Sequence, residues 1–302
     1  MKAIQSGWTV FKRNLKFIFS KPLLLIPMML AWAIYVFLAL WFSSTYNLGS
    51  MEIETLLLVL FAFTFVSTFT IGIASLFILE MLEQHERTGK MNVFKALYDM
   101  LTKDLWRSLP IIILWSLIDF LLVILISILS SARKRNNKTT RPKGPIQRAV
   151  EGFRDLVRMG SMTVFTVIAW EDLGPKRSFD KGFSVFKYRF SQMLVGFGLN
   201  KITGLLLAIP IIIVALALRA GSLPLQATLI GLIIYISIIW SLRKLIEQLF
   251  VSELYLWYIH YERARAKAMK LGTEPPSSLY DVPRPSFADN NYDLLKENET
   301  AY

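Results

Sequence analysis

The sequence contains no cysteine and two histidines, His85 and His260. The first absence excludes disulfides, thiolate metal sites and thiol nucleophiles, and two histidines disfavour an all-histidine metal site within one chain. The patterns HExxH, GxSxG and GxxxxGK followed by Ser or Thr are also absent, so metalloprotease, α/β-hydrolase and P-loop functions lack their signatures. We therefore predict no catalytic residue, no metal and no cofactor.

Acidic residues are outnumbered, with 22 Asp and Glu against 34 Lys and Arg and a net charge of +12. In a soluble protein this excess would point to nucleic acid. Here 54% of the residues are hydrophobic and the mean hydropathy is +0.46. Because the cytoplasmic flanks of membrane proteins collect Lys and Arg, we interpret the charge as contact with anionic lipid headgroups and predict no nucleic-acid partner.

The apolar residues lie in blocks of about 20, the length of helix that crosses a bilayer core of about 30 Å. We predict an all-α membrane protein whose residues 1–270 form a six-transmembrane-helix bundle. Residues 271–302 are rich in Pro, Asp and Asn, which predicts a disordered cytoplasmic tail. The predicted spans are about 23–42, 56–79, 109–129, 149–170, 194–218 and 227–242.

Amphipathic stretches precede three of the spans, at about 3–20, 90–107 and 178–192. In the first stretch an apolar face carries Trp8 and Leu15, and basic residues lie away from it. Such a helix is typical of a membrane surface; packing of the same face on the protein's own core is the alternative. The candidate lipid-facing residues of the three stretches are Trp8, Phe11, Lys12, Phe94, Lys95, Phe186 and Lys187.

The alternation of amphipathic stretches and apolar blocks contains an internal repeat. The tripeptide Val-Phe-Lys occurs at residues 10–12, 93–95 and 185–187, each time just before an apolar block. Pro27 and Pro110 each lie 16 residues after the Phe of their tripeptide, and a Glu closes each pair of blocks. We predict three repeated hairpins, each preceded by an amphipathic interfacial helix.

Basic residues mark the cytoplasmic side of a membrane protein. They predict a multi-pass protein of the cell membrane with both termini in the cytoplasm. Residues 133–148 contradict this rule, because seven basic residues lie in a segment that six crossings would put outside. Either the hairpin of spans three and four crosses against the bias or it is re-entrant; the equal status of the repeats favours crossing.

Ionisable groups inside a membrane are costly and are often functional. Asp119 lies midway in predicted span three, and Asn200 and Lys201 lie early in span five. Asp119, Asn200 and Lys201 therefore form a candidate polar site, in which Asp119 pairs with Lys201 if spans three and five touch; its functional interpretation is a proton or ion relay or a ligand site. The alternative is a structural pair, or a Lys201 that snorkels to the headgroups.

The three carboxylates that close the repeats, Glu80, Glu171 and Glu253, form a second candidate site. Packing of the repeats around an axis would bring them together near the inner surface, where they could bind a cation or a lipid amine. The alternative is that each marks a helix end or pairs with a nearby basic group.

Residues 167–175, Val-Ile-Ala-Trp-Glu-Asp-Leu-Gly-Pro, together with residues 8–27 and 179–190, carry a resemblance. They resemble a group of uncharacterised prokaryotic membrane proteins, similar in pattern to the membrane domain of some glycerophosphodiester phosphodiesterases. In that group a Ser-containing amphipathic helix follows the fourth helix, and Ser178 and Ser184 match it here. The resemblance covers residues 8–260 loosely and implies the six-helix architecture without an activity.

Two functions of different classes fit these observations. The first is a non-enzymatic scaffold or accessory subunit that binds membrane lipids or membrane protein partners. The second is a small transporter or permease subunit that uses Asp119 and Lys201, and an intramembrane lipid-modifying enzyme is a more distant alternative. A closed apolar interior favours the first function, and a water-filled cavity reaching Asp119 favours the second.

Overall fold

A computed structural model describes residues 2–45, 52–135, 144–188, 209–218 and 224–287, together with positions 190, 193, 198 and 204. Short turns join some of its helices, namely 3-10 turns at Pro22–Leu25 and Leu279–Asp281 and a π-helical turn at Met100–Asp104. These residues contain no strand, which confirms the all-α class. The helices are α1 Lys2–Ser20, α2 Ile26–Thr45, α3 Ile53–Thr88, α4 Val93–Asp99, α5 Leu105–Arg135, α6 Pro145–Glu171, α7 Pro175–Tyr188, α8 Ile209–Leu218 and α9 Leu225–Leu271.

Three stretches of the described residues are long and apolar enough to cross a bilayer, Pro22–Phe42, Glu54–Thr88 and Val93–Ser130. They contain the predicted spans one, two and three, and they indicate a membrane-embedded protein. Of predicted span five, only positions 198, 204 and 209–218 belong to the described residues. Predicted span six lies within α9, a helix of 47 residues and thus about 70 Å long.

Side chains are buried mainly toward one end of the bundle, which we name the base. It comprises α1, residues 76–88 of α3, α4, residues 159–171 of α6, α7 and residues 245–287. Farther along α2, α3 and α5, large apolar side chains are exposed, such as Phe37 at 68%, Leu58 at 70% and Ile128 at 59%. Lipid tails are as apolar as these side chains, so their exposure to lipid costs little.

Helix α1 packs on the base through the face that the sequence assigned to the membrane surface. Phe11, Phe17 and Ile18 are buried in the core, whereas Lys12 is exposed. The structure therefore places Phe11 against protein rather than lipid, because periodicity identifies an apolar face without identifying what covers it. The side chain of Trp8 lies outside the described part.

Helices α5 and α6 run antiparallel. The Gln147 amide Nε2 donates to Ser130 Oγ at 3.4 Å, and Arg154 lies opposite Asp119. The 27 residues of α6 span about 40 Å. Its buried residues lie between Met159 and Trp170, and α3, α5, α7 and α9 contact this helix. The weak hydropathy of predicted span four comes from the part of α6 before Met159, where charged side chains contact α5 and α9.

Glycines in the left-handed conformation end the two helices that extend farthest into the base. Gly89, with φ 71°, ends α3, and Gly272, with φ 66°, ends α9; other residues adopt this conformation at a cost of about 1–2 kcal/mol. After Gly272 the chain folds back on α9. Residues 273–287 differ from the disordered tail that their composition predicts, since Leu279 and Phe287 are each 1% exposed; residues 288–302 lie outside the described ranges.

Helix α7 approaches α6 closely because it presents a face with small residues. Ser178, Gly182 and Val185 are buried. A Cβ atom added to Gly182 would lie 2.8 Å from Cα of Val164, a distance at which the backbone of α6 leaves no room for a side chain.

Gly182→Ala is expected to destabilise the protein by about 1–3 kcal/mol, because α7 must move away from α6. Gly152→Ala is the matched control, a change within α6 with no atom inside 4 Å of the added Cβ, and it should stabilise by up to about 1 kcal/mol. Thermal unfolding followed by circular dichroism measures both. Equal effects of the two substitutions would contradict the close contact.

Candidate functional site

Four charged side chains lie along one stripe of α6, at Glu151, Arg154, Asp155 and Arg158. Arg158 contacts Asp155 within the stripe, with 3.5 Å between Nη2 and Oδ1. The two arginines also reach different helices, Arg154 toward α5 and Arg158 toward α9. The stripe therefore connects α6 to both neighbours.

Asp119 of α5 is held by Arg154. Nη2 of Arg154 donates to Oδ2 at 2.7 Å and Nε donates to Oδ1 at 2.5 Å, a bidentate geometry that is favourable for a carboxylate. The side chain of Asp119 is 15% exposed and that of Arg154 is 45% exposed. The predicted partner Lys201 and its neighbour Asn200 lie outside the described residues. Arg154 is therefore a partner of Asp119 that the predicted pairing with Lys201 does not include.

A second ionic cluster joins α6 to α9, just beyond the predicted end of span six. Arg158 Nη2 donates to Glu247 Oε1 at 3.2 Å, and Lys244 Nζ donates to Oε2 at 3.4 Å. Burial alone would raise the pKa of Glu247, but Lys244, Arg158 and Arg243 hold it below its ordinary value. Burial lowers the pKa of Lys244 to about 8. Gly204 leaves space for Arg243, because an added Cβ would lie 2.6 Å from its Nε.

The sequence contains a signal for this cluster. Lys244 and Glu247 lie one helical turn apart, directly after an apolar block, on a helix that continues. Two charges of opposite sign at this spacing indicate a polar helix face. Their contact with Arg158 depends on tertiary packing across 89 positions of chain.

Two of the three carboxylates that close the predicted repeats have separate partners. Glu171 accepts hydrogen bonds from Lys181 Nζ at 2.5 and 2.6 Å and from the Tyr255 hydroxyl. Glu80 shares a hydrogen bond with Asp104, at the end of the π-helical turn. Local contacts thus occupy both carboxylates.

The third carboxylate, Glu253, is fully buried in the base. It faces Arg284, Arg13 and Ser286, and Glu86 lies within electrostatic reach. Burial raises the pKa of Glu253 to about 7, although the two arginines act in the opposite direction. The described residues contain no group of three or more carboxylates or histidines placed to hold a metal ion, so the predicted common cation site has no counterpart among them.

Trp170 lies where α3, α6 and α9 meet. Its indole N–H donates to the carbonyl oxygen of Leu79 at 3.1 Å, and its ring centroid lies 5.9 Å from that of Tyr255. Leu79 and Trp170 directly precede Glu80 and Glu171 in the sequence. The positions that the repeat predicts to be equivalent therefore come close together, but through an indole, a carbonyl and a phenol ring, and only Glu171 lies at a helix end.

The three Val-Phe-Lys tripeptides differ in the surroundings of their phenylalanines. Phe11 is 8% exposed, Phe94 is 84% exposed and Phe186 is half-buried. The lysines of all three tripeptides are exposed, at Lys12, Lys95 and Lys187. The tripeptides therefore share a cationic surface position and differ in the apolar contact.

Aromatic side chains are exposed on the base along α4, the start of α5 and α7. Tyr98 is 66% and Trp106 is 68% exposed. The rings of three phenylalanines on α7 and of Phe190 just beyond it follow one another, with centroids 6.0, 6.1 and 5.7 Å apart. Exposed rings beside lysines are typical of helices at a membrane interface. We name this surface the aromatic belt; its residues are Phe94, Tyr98, Trp106, Phe179, Phe183, Phe186 and Phe190.

No protein-family model matches the chain, and no curated protein matches it.

The Asp119–Arg154 pair predicts a specific pattern of coupling. Asp119→Asn and Arg154→Gln should each lower thermal stability, and the double variant should lose about 1–2 kcal/mol less than the sum, because neither charge is then left alone. Thermal unfolding in one detergent measures all three proteins.

The control is the pair Asp119→Asn with Lys201→Met, whose losses should add, because Arg154 already occupies both oxygens of Asp119. Additive losses for Asp119 and Arg154, or coupling between Asp119 and Lys201, would contradict the assignment.

Proposed function

We propose that the protein is a non-enzymatic membrane scaffold or accessory subunit whose base binds anionic lipid headgroups and membrane protein partners. The observation that carries this proposal is the aromatic belt. Lys95 and Lys187 are exposed on the helices of the belt. A lysine near an anionic surface contributes about 1 kcal/mol of attraction, and bulky aromatic side chains insert at the headgroup level.

The interior contacts support this function over a catalytic or transport function. The ionic groups along α6 contact groups of opposite charge, as in Asp119–Arg154 and Arg158–Glu247. Local hydrogen bonds also occupy Glu171. A group that moves protons or binds a substrate must change its partner during the cycle, whereas these contacts hold helices in place.

A small transporter or permease subunit is the second candidate. The observation that favours it is the 45% exposure of the Arg154 side chain beside Asp119, which leaves part of an intramembrane ion pair accessible from outside the protein.

The resemblance to the membrane domain of glycerophosphodiester phosphodiesterases, like the lipid-modifying alternative, remains a prediction.

We further propose that the chain crosses the membrane six times, with the base and both termini in the cytoplasm. The lengths of α5 and α6, 31 and 27 residues, support a crossing hairpin over a re-entrant one, since both kinds of hairpin are antiparallel. A re-entrant hairpin would turn back partway through the bilayer, between α5 and α6, whereas α6 alone continues for about 40 Å. The basic residues 133–148 then lie outside, against the charge bias.

Introduced cysteines test this topology, since the native chain has none. On intact cells an impermeant thiol reagent should label Ser44→Cys and Asn136→Cys and should leave Lys90→Cys unlabelled. Labelling of Lys90→Cys with protection of Ser44→Cys would show that the protein has the opposite orientation in the membrane. Protection of Asn136→Cys together with labelling of Ser44→Cys would show that the hairpin of predicted spans three and four is re-entrant.

The lipid-binding function predicts that the exposed lysines of the tripeptides retain anionic lipid. The triple variant Lys12→Gln, Lys95→Gln and Lys187→Gln should retain several-fold less anionic phospholipid than the native protein, because each lysine near the surface attracts it. Native mass spectrometry after extraction in mild detergent counts the retained lipids.

The control for this experiment removes the same charge from the far end of α9, through Arg265→Gln, Lys267→Gln and Lys270→Gln, which are also exposed positions. They lie more than 20 residues past the predicted end of span six, roughly 35–40 Å along the helix, so retention should stay at the native level. Equal loss in the two triple variants would show that retention depends on net charge alone and would contradict a lipid site beside the tripeptide lysines.

A further inference from the structure

The chain folds back at Gly272 and lies against α9 in an extended course, which we name the strap, residues 273–287. The strap contains one 3-10 turn, Leu279–Asp281, closed by a capping box between Ser278 and Asp281. Leu279 and Val282 are buried. The strap is therefore held by side chains that enter the base rather than by pairing with another strand.

The first half of the contact is an aromatic groove on α9. The Trp257 indole N–H donates to the carbonyl oxygen of Val282 at 3.0 Å. The Arg284 guanidinium lies over the Trp257 ring at 5.1 Å and over the Phe250 ring at 5.7 Å. Tyr280 closes the groove with its ring edge-on to Trp257, 5.4 Å between centroids. The guanidinium is thus held between aromatic faces, a geometry that attracts cations.

The second half is a pocket that receives Phe287. This side chain is 1% exposed. Its ring is stacked with that of Phe17 of α1, 5.9 Å between centroids, and meets Trp170 of α6 at 6.2 Å in an edge-on arrangement. The pocket thus lies beside the place where α3, α6 and α9 meet, and Phe287 fills it from a segment that follows all the described helices.

Charge completes the site between these two points. Arg284 faces the buried carboxylate of Glu253, which also faces Arg13 and Ser286. Burial lowers the pKa of Arg284 despite the attraction of Glu253, so docking of the strap removes water from a cation. Because of this desolvation cost, the strap binds α9 more weakly than the area of its aromatic contacts suggests.

The strap has the chemistry of a peptide ligand. Pro283 and Pro285 flank Arg284, and proline fixes φ, so the segment is close to extended before it docks. Proline-rich segments that bind aromatic-lined grooves are a recurring mode of peptide recognition between proteins. The groove on α9 with the Phe287 pocket has the same components, namely aromatic faces, a carboxylate for an arginine and an apolar pocket.

We propose that this groove is a peptide-binding site for an extended segment that carries a proline-flanked arginine followed by an aromatic residue, and that the strap is its resident ligand. A partner protein with such a segment binds by displacing the strap. The identity of the partner as a protein rests on the proposed scaffold function, but the site does not depend on lipid binding.

The test uses the full chain with Ser286→Cys, the only thiol of that variant and 3% exposed in the strap. A synthetic peptide of residues 277–287, added at millimolar concentration, should raise the rate of thiol labelling at least about 10-fold. Millimolar peptide is needed because a tethered strap has an effective concentration in that range. Peptides with Arg284→Ala or Phe287→Ala should leave the rate unchanged.

Two further variants keep the result interpretable. Ser116→Cys, 0% exposed in α5, a helix that none of the strap contacts above involves, should label slowly with or without peptide, and the exposed Ser277→Cys should label fast in both conditions. No acceleration of Ser286→Cys by the native peptide would overturn the proposal, as would equal acceleration by the alanine peptides. Acceleration of Ser116→Cys to the same extent would show unfolding and overturn it too. None of these outcomes changes lipid retention, so the two proposals fail separately.

Discussion

The pairing of charges along α6 is the constraint on which the arrangement of the helices depends. The Glu247 side chain is 4% exposed, and an isolated carboxylate at that depth costs several kcal/mol. Lys244 on the same helix offsets part of this cost, and Arg158 offsets more of it only while α6 and α9 keep their positions. The Asp119–Arg154 pair fixes α6 against α5 in the same way. Apolar packing alone would allow helices to slide, whereas these directional contacts select one register.

The helices that cross the apolar part of the structure could be predicted closely from the sequence. In lipid the backbone must satisfy its own hydrogen bonds, and the surface must be apolar, so the blocks that became α2, α3 and α5 have few other options. The stripe of charges on α6 was also visible. Its partners were not, because Asp119 and Glu247 lie 35 and 89 positions away from the arginines that hold them, and nothing in local periodicity encodes such a pairing.

The remaining differences between prediction and structure concern whether lipid, water or protein covers a given apolar surface. The apolar face of α1 fits a membrane interface and a protein core equally well, and Phe11 lies in the core. The composition of residues 273–287 indicates that they cannot form a core alone. It does not indicate whether a groove elsewhere accepts them, and Phe287 occupies one. The repeat shows the same limit, because identical tripeptides place Phe11 and Phe94 in opposite environments while their lysines remain at the surface.

Helix α9 is one uninterrupted helix from Leu225 to Leu271, and its continuity has a mechanical consequence. Arg158 of α6 contacts it at Glu247, and the strap lies against it at Trp257. These two positions are ten residues apart, or about 15 Å along the helix axis. Because the helix has no break between them, a rotation or shift of α9 against α6 is transmitted directly to the groove that holds the strap.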